Sequence, residues 1–209
     1  MIDIAIVGCG SRVAQHYKKI FKSKKLTNFK ISQVCDTNYK KAKIFAKHFN
    51  STPYEDYELM LKKSKSNLII ILTPSGNHYE HAIMALSKNF NILIEKPIAL
   101  RINHAKKIIN LAKRKKLLCS VAFQNRLNPS IQVLKKAIDN KRFGKIISSS
   151  VRLRWCRQQE YYDDNWHGRW SLDGGVLNQQ AIHHLDALNW LLGPVNSVFS
   201  FSTKRLNKL

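Results

Sequence analysis

Along the first 123 residues, short runs of mostly branched apolar residues recur at 4–7, 29–34, 68–72, 92–94 and 117–123, and helical periodicity fills the stretches between them. Strands that alternate with helices are joined by crossovers, so the strands run parallel and the helices must cover both faces of the sheet. Ala105, Ile108, Ile109 and Ala112 trace one of the helices, with Asn103 as its expected N-cap. Residues 1–123 therefore predict a doubly wound α/β domain around a parallel sheet.

Beyond residue 123 the pattern changes. Pro129 suits the first position of a helix that carries Ile131, Leu134, Ala137 and Ile138 on one side and stops near Gly144. Residues 145–155 then read as a longer strand, 156–173 as a polar, aromatic loop, 175–192 as a helix and 198–202 as a last strand. The expectation for 124–209 is a partial α+β domain.

The formal charge of +23 invites a nucleic-acid reading. That reading needs clustering, whereas the lysines are scattered in runs such as Lys22-Ser23-Lys24-Lys25, Lys40-Lys41, Lys62-Lys63 and Lys113-Arg114-Lys115-Lys116. Such runs suit helix ends and turns, where lysine meets solvent and the negative end of the helix dipole. A solvated surface is preferred, and nucleic-acid binding is kept as a distant alternative. Cys9, Cys35, Cys119 and Cys156 are isolated, without metal-ligand spacing, and predict reduced and mostly buried thiols. His78 and His81 lie three apart but lack a third ligand, so no metal is expected and a helix-surface position is preferred. The longest apolar run, 68–72, is far shorter than the about 20 residues a membrane span needs. With a strand at the first residues and no apolar leader, a soluble cytoplasmic protein without a membrane partner is expected.

The first strand runs into Gly8-Cys9-Gly10-Ser11-Arg12-Val13-Ala14 and then a helix. Glycines there allow a tight turn and let the backbone approach a pyrophosphate, which free N–H groups at a helix N-terminus stabilise. This is the Rossmann arrangement for a dinucleotide. Val13 stands where a Gly or Ala is usual, and Ala14 is one position late, which predicts an altered helix approach or a one-residue insertion in the loop. Asp36 ends the second strand, where an acidic residue binds the adenosine ribose and repels a 2′-phosphate, so NAD is favoured over NADP. The alternative role for Asp36 is a helix N-cap for residues 38–49. Thr73-Pro74-Ser75 ends the next long strand, again at the carboxyl edge where ligands bind.

Glu95-Lys96-Pro97 closes another strand. A lysine at that edge can hydrogen-bond a substrate hydroxyl, and the competing reading is a surface Glu–Lys pair. On the helix of 175–192, Leu177, Ala181, Leu185, Leu188 and Leu192 share one stripe at the helical period, with Gln179, His183, Asp186 and Trp190 opposite. Burial of the leucines would leave the polar and aromatic face to line a cleft or to meet solvent.

Gly8-x-Gly10, Thr73-Pro74-Ser75-x-x-His78, Glu95-Lys96-Pro97 and the block from Gly174-Gly175 to Ile182-His183-x-x-Asp186 occur in the order found in Gfo/Idh/MocA oxidoreductases, which the chain resembles over nearly its whole length. Gln124-Asn125-Arg126-x-Asn128-Pro129 and the stretch from Trp155-x-Arg157 through Tyr161-Tyr162-Asp163 to Trp166-x-Gly168-x-Trp170 resemble the subgroup that oxidises the 3-hydroxyl of UDP-N-acetyl-glucosaminuronic acid in the synthesis of bacterial surface polysaccharides. The resemblance implies NAD bound by Gly8, Gly10, Ser11, Arg12, Val13, Asp36, Thr73, Pro74, Ser75, His78, Glu95 and Lys96. It matches Lys96 and His183 to the family's catalytic pair. It places Gln124, Asn125, Arg126, Arg157, Arg169, Gln179 and His183 around a nucleotide-sugar substrate, the arginines suited to a carboxylate or diphosphate. Gln179 departs from the usual Asp or Asn at its position. Family members continue well past residue 209, so the second domain is expected to be shortened and to leave a strand edge open to a partner, including a second copy of the chain. Three readings follow from the sequence: an active NAD-dependent dehydrogenase, an inactive nucleotide-binding remnant and, distantly, a basic nucleic-acid-binding protein.

Overall fold

The structure, a computed structural model, describes residues 1–23, 26–164 and 166–203, so Lys24 and Lys25 of the first lysine run lie outside the described residues. The chain divides into two compact units, Met1–Ala122 and Phe123–Leu209.

The first unit is a six-stranded parallel sheet. Its strands are β1 (Ile2–Val7), β2 (Phe29–Cys35), β3 (Thr52–Tyr54), β4 (Leu68–Ile71), β5 (Asn91–Ile94) and β6 (Cys119–Val121), in the spatial order β3-β2-β1-β4-β5-β6. That order is the doubly wound one, and it reverses direction between β1 and β4. The helices are α1 (Arg12–Lys22), α2 (Tyr39–Lys47), α3 (Tyr57–Lys63), α4 (His78–Ser87) and α5 (Ile102–Lys115). Five strands coincide with the apolar runs of the sequence. The short β3 escaped because it is Thr-Pro-Tyr; it lies at the sheet edge, where the missing N–H of Pro53 costs no interior ladder bond.

Side chains alternate across a strand, and the two faces of the sheet carry separate cores. Ala5, Val7, Ile69, Ile71, Ile92 and Ile94 point to one face and meet α3, α4 and α5 through Met60, Leu61, Ala85, Leu86, Ile108 and Ala112. Ile4, Ile6, Val34, Ile70 and Leu72 point to the other, where Ala14 of α1 and Ala42, Phe45 and Ala46 of α2 cover them. The α/β architecture therefore follows from runs apolar at both parities.

Local signals set most helix starts. Ser11 caps α1 by accepting the Ala14 N–H (3.1 Å), Asn38 caps α2 from Lys41 (3.2 Å) and Asp56 caps α3 from Leu59 (2.7 Å). The expected cap at Asn103 is corrected: α5 starts two residues earlier, after an extended Arg101, and Asn103 lies within its first turn. Lysines do gather in the last turns of α1, α3 and α5, but Lys40 and Lys41 open α2 at its positive end, contrary to the dipole preference.

The second unit holds a 3-10 turn (Gln124–Leu127), α6 (Pro129–Asp139), the single turn α7 (Gln159–Tyr162), a π-helical stretch (Leu177–Ala181) and α8 (Ile182–Leu192). Asn128 caps α6 through the Ser130 N–H (3.0 Å), with Pro129 at its first position. The strands expected at 145–155 and 198–202 are not formed among the described residues. A strand exists only through a ladder partner, and neither segment has one; Ile147, Phe199 and Phe201 are 92%, 84% and 91% exposed. The leucine stripe is also corrected: Leu177, Leu185 and Leu192 are exposed, and the helix instead buries Ala187 and Leu191. The π stretch breaks the uniform rotation that a single helical projection assumes, and the opposite face is drawn inward by an ion pair between Asp186 and Arg126.

Phe45 is 2% exposed and packs its ring 5.4 Å from that of Phe49, at the centre of the core on the α1 and α2 face. Phe45→Ala should destabilise the chain by about 3–5 kcal/mol, the usual cost of deleting a buried aromatic ring. Urea unfolding followed by far-ultraviolet circular dichroism measures it, and a loss below about 1 kcal/mol would mean that this core is not a stability determinant.

Candidate functional site

β1 delivers the chain to the point where the sheet order reverses, and the loop that follows is built for close approach. Gly8 has φ +82°, a left-handed conformation, and a methyl group on it would lie 2.7 Å from the Leu72 carbonyl carbon and the Thr73 nitrogen. A side chain is excluded there by backbone on one side and by φ on the other. Gly10 is crowded by side chains rather than backbone: a Cβ would lie 2.6 Å from Lys41 Cδ and 2.8 Å from Asp36 Oδ2. Its N–H donates to Asp36 Oδ2 (2.8 Å).

Ser11 ends the loop and starts α1. First-turn amides of a helix have no intrahelical acceptor; Ser11 Oγ takes that of Ala14, and Arg12 and Val13 occupy the remaining first two positions. No acidic residue stands in this turn. An exposed arginine at the positive end of a helix dipole is unfavourable by itself and favourable beside an anion. The glycine cradle, the helix N-terminus and Arg12 thus fit a dinucleotide pyrophosphate. The fingerprint's small residue is Ala14: it is fully buried against the sheet, whereas Val13 is partly exposed and packs at the margin of the same core. The helix starts normally, and the small-residue contact is simply made one position later.

Asp36 follows β2 and is half-buried. Oδ1 accepts the Asn38 N–H (2.9 Å) while Oδ2 accepts that of Gly10. The helix cap of α2 is Asn38, so the cap role considered for Asp36 is corrected. Its carboxylate is held at the β2 end, beside the glycine loop, where a ribose diol is expected.

Thr73, Pro74 and Ser75 follow β4, with Ser75 buried and opening a 3-10 turn (Ser75–Asn77). His78 is corrected from a helix-surface residue to one of the least exposed side chains in the chain, at 1%. Its Nδ1 lies 2.7 Å from the Pro97 carbonyl and its Nε2 2.8 Å from the Thr73 carbonyl. Burial pushes its pKa down, and the two carbonyls oppose that shift. His81 sits beside Thr73, its Nδ1 3.0 Å from Thr73 Oγ1, and burial takes it down to about 4. Neither histidine belongs to a group of three potential metal ligands among the described residues.

Glu95, Lys96 and Pro97 follow β5. Burial raises the Glu95 carboxyl pKa; Oε1 accepts the Tyr17 hydroxyl of α1 (3.1 Å) and Oε2 the Lys96 N–H (3.2 Å). The surface-pair reading of Glu95 is therefore corrected. Tyr17 was not singled out in the sequence, although it lies three residues after Ala14 on the same inward face. Cys9 and Cys35 are buried within this region, and burial raises both thiols to about 12, which makes them inert at neutral pH.

In the second unit, α8 carries His183, whose ring meets Phe123 edge-on at 6.2 Å. Gln179 is 5% exposed in the π stretch just before it. Arg126 turns its fork onto Asp186, with Nε and Nη2 at 2.8 and 2.6 Å from the two carboxylate oxygens, and lies 5.7 Å from the Trp190 ring. That edge of the guanidinium pairs with Asp186 in this structure. Arg157 stacks on Trp155 (4.3 Å) and Tyr161 (5.2 Å), and Arg169 is exposed. Gln124 is exposed and Asn125 half-buried in the turn before α6. A second cluster was missed: His167, 8% exposed, bonds Asp164 through Nδ1 and packs between Tyr161 and Trp166 at ring distances of 4.0 and 3.7 Å. The Asp164-x-x-His167 spacing was its only signal, and it is a weak one.

Among the described residues, no helix is long and apolar enough to cross a membrane. Residues 2–123 match the model of the oxidoreductase family with an NAD-binding Rossmann fold, and residues 131–208 match the GFO/IDH/MocA C-terminal domain. Among curated relatives, D-glucoside 3-dehydrogenase of Escherichia coli is 26% identical over 98% of this chain and 58% of its own length. Glucose-6-phosphate 3-dehydrogenase of Bacillus subtilis is 29% identical over 92% of this chain and 54% of its own. The chain thus spans little more than half of each. Two solved structures cover 99% of it: the WlbA dehydrogenase of Chromobacterium violaceum (TM-score 0.94, 33% identity, 59% of that chain) and that of Bordetella pertussis (TM-score 0.95, 31% identity, 60% of that chain), both in complex with NADH and UDP-GlcNAcA. With a loop in which Gly8 admits no side chain, a sheet reversing at β1 and β4, and family matches over both units, the chain belongs to the Gfo/Idh/MocA oxidoreductases, and residues 2–123 are its NAD-binding Rossmann domain.

Proposed function

We propose that this protein serves an NAD-dependent oxidation of a secondary hydroxyl on a nucleotide sugar, at C3 of a UDP-N-acetyl-hexosaminuronic acid. The observation that carries this reading is the likeness, over 99% of the chain, to two dehydrogenases solved with NADH and UDP-GlcNAcA. The polar and aromatic character of residues 155–170 supports it, because Arg157, flanked by Trp155 and Tyr161, offers a stacked guanidinium suited to a carboxylate or diphosphate.

NAD, when bound, supplies the acceptor for the hydride that leaves the sugar carbon. The remaining chemistry belongs to side chains. In this reading His183 accepts the proton of the reacting hydroxyl, a role suited to an imidazole whose unperturbed pKa is close to neutral. Lys96 donates a hydrogen bond to the same oxygen and stabilises the negative charge that grows on it as the proton leaves. Gln179 offers an amide, and Arg157 and Arg169 offer cations, to hold the sugar and its charged groups. Asp36 accepts hydrogen bonds from the ribose hydroxyls and disfavours a 2′-phosphate.

Two measurements test this reading. NAD(H) should bind more tightly than NADP(H), and Asp36→Ala should narrow the difference by about tenfold, the size of one lost charged hydrogen bond. Titration by nucleotide fluorescence checks it, and equal affinities in the unaltered chain would remove Asp36 from cofactor selection.

With UDP-GlcNAcA and NAD, reduced nucleotide should accumulate at 340 nm. His183→Ala should lower turnover by about 10²-fold or more, the usual effect of losing an acid–base partner, with NADH affinity held within about twofold. Undiminished turnover in that variant would exclude His183 from proton transfer.

A further inference from the structure

Lys96 lies between two residues that are both held from outside its own strand. On its N-terminal side, Glu95 accepts the Tyr17 hydroxyl of α1 through Oε1 (3.1 Å) and the Lys96 N–H through Oε2 (3.2 Å). On its C-terminal side, the carbonyl of Pro97 lies 2.7 Å from His78 Nδ1 on α4. The other nitrogen of that ring lies 2.8 Å from the Thr73 carbonyl, at the end of β4. α1 begins in the glycine loop, and Thr73 touches that loop through the close approach of Gly8. The two restraints on Lys96 are therefore anchored in the segments expected to hold the cofactor.

The restraint through His78 is buried, and the one through Tyr17 and Glu95 is partly buried. His78 is 1% exposed, and Pro97 is buried beside it. Carbonyl oxygens only accept, so the ring binds through whichever nitrogen carries a proton, and a doubly protonated ring would bind both. An apolar side chain in its place would remove the donor that the ring supplies to these carbonyls. The Tyr17 hydroxyl reaches Glu95 Oε1 across 78 residues of sequence. Packing alone needs neither polar group at these positions; the bonds converge on the backbone around one lysine.

We propose that His78 and Tyr17 are positioning residues, which pin the backbone on either side of Lys96 and fix its side chain relative to the cofactor loops. This rests on the reading of Lys96 as the residue that polarises the reacting oxygen. His78 and Tyr17 touch neither substrate nor the reacting atoms; they act through Lys96. Small errors in the placement of a catalytic group are costly, because the reacting atoms must be held close and aligned.

The test is a double-mutant cycle with turnover of UDP-GlcNAcA and NAD as readout, together with amide exchange of Lys96 by nuclear magnetic resonance in the absence of substrate. His78→Ala should lower kcat by about tenfold or more, change KM for NAD less than about threefold, and speed exchange of the Lys96 amide by about tenfold. In the Lys96→Ala background the same change should cost almost nothing further, since residues acting through one group are not additive. His78→Gln and Tyr17→Phe, which preserve bulk, serve where His78→Ala does not fold, and each should give a smaller loss of the same kind. An equal loss from His78→Ala with and without Lys96 would overturn the proposal while leaving the functional reading intact. Unchanged Lys96 exchange in all three variants would overturn it as well. Full turnover by Lys96→Ala, or no turnover of this substrate by the unaltered chain, would instead defeat the functional reading, and the positioning role would fall with it.

Discussion

The contact between Gly8 and the backbone of Leu72 and Thr73 governs the nucleotide side of this protein. β1 and β4 are neighbours in the sheet, and the chain leaves them toward helices on opposite faces, so a crevice opens between their carboxyl ends. The crevice is useful only if the loop after β1 lies flat against the end of β4. At 2.7 Å from that backbone to a virtual Cβ, no residue with a side chain allows the same path. The same turn presents Gly10 to Asp36 and leads into the capped N-terminus of α1. The glycine loop, the Asp36 carboxylate and the N-terminus of α1 are thus brought together by one close approach.

A second layer of order lies behind this one. His81 bonds the Thr73 side chain, His78 reaches the carbonyls of Thr73 and Pro97, and Tyr17 reaches Glu95. These are polar groups in an apolar setting, where an unmade bond is costly and a made one is directional. Apolar packing can place a helix on a sheet, but it does not fix a loop at strand ends. Directional bonds from α1 and α4 do so here. Their buried geometry explains why Glu95, His78 and His81 all have pKa values displaced by burial.

The second unit is organised differently. Its helices are held by an ion pair and by stacked cations: Arg126 between Asp186, Phe123 and Trp190, and Arg157 on Trp155 and Tyr161. Its extended segments carry exposed apolar residues such as Ile147, Phe199 and Phe201 and make no ladder among the described residues. Side-chain alternation can announce a strand, but only a neighbouring backbone can complete one.

The sequence by itself determined the doubly wound first unit, because short apolar runs that alternate with helical periods require a parallel sheet covered by helices on both faces. It also determined the order of the nucleotide and strand-end motifs, since glycines, caps and strand-end charges are local signals. It left the edge strand β3 hidden, because three residues with a proline carry no periodicity. The tertiary structure alone decided that His78 is buried, that Arg126 pairs with Asp186, and that α8 turns Leu191 rather than Leu185 inward. Each of these depends on which groups meet across long separations in the chain. Such encounters are set by packing and by the satisfaction of buried polar atoms, and no local window of sequence contains both partners.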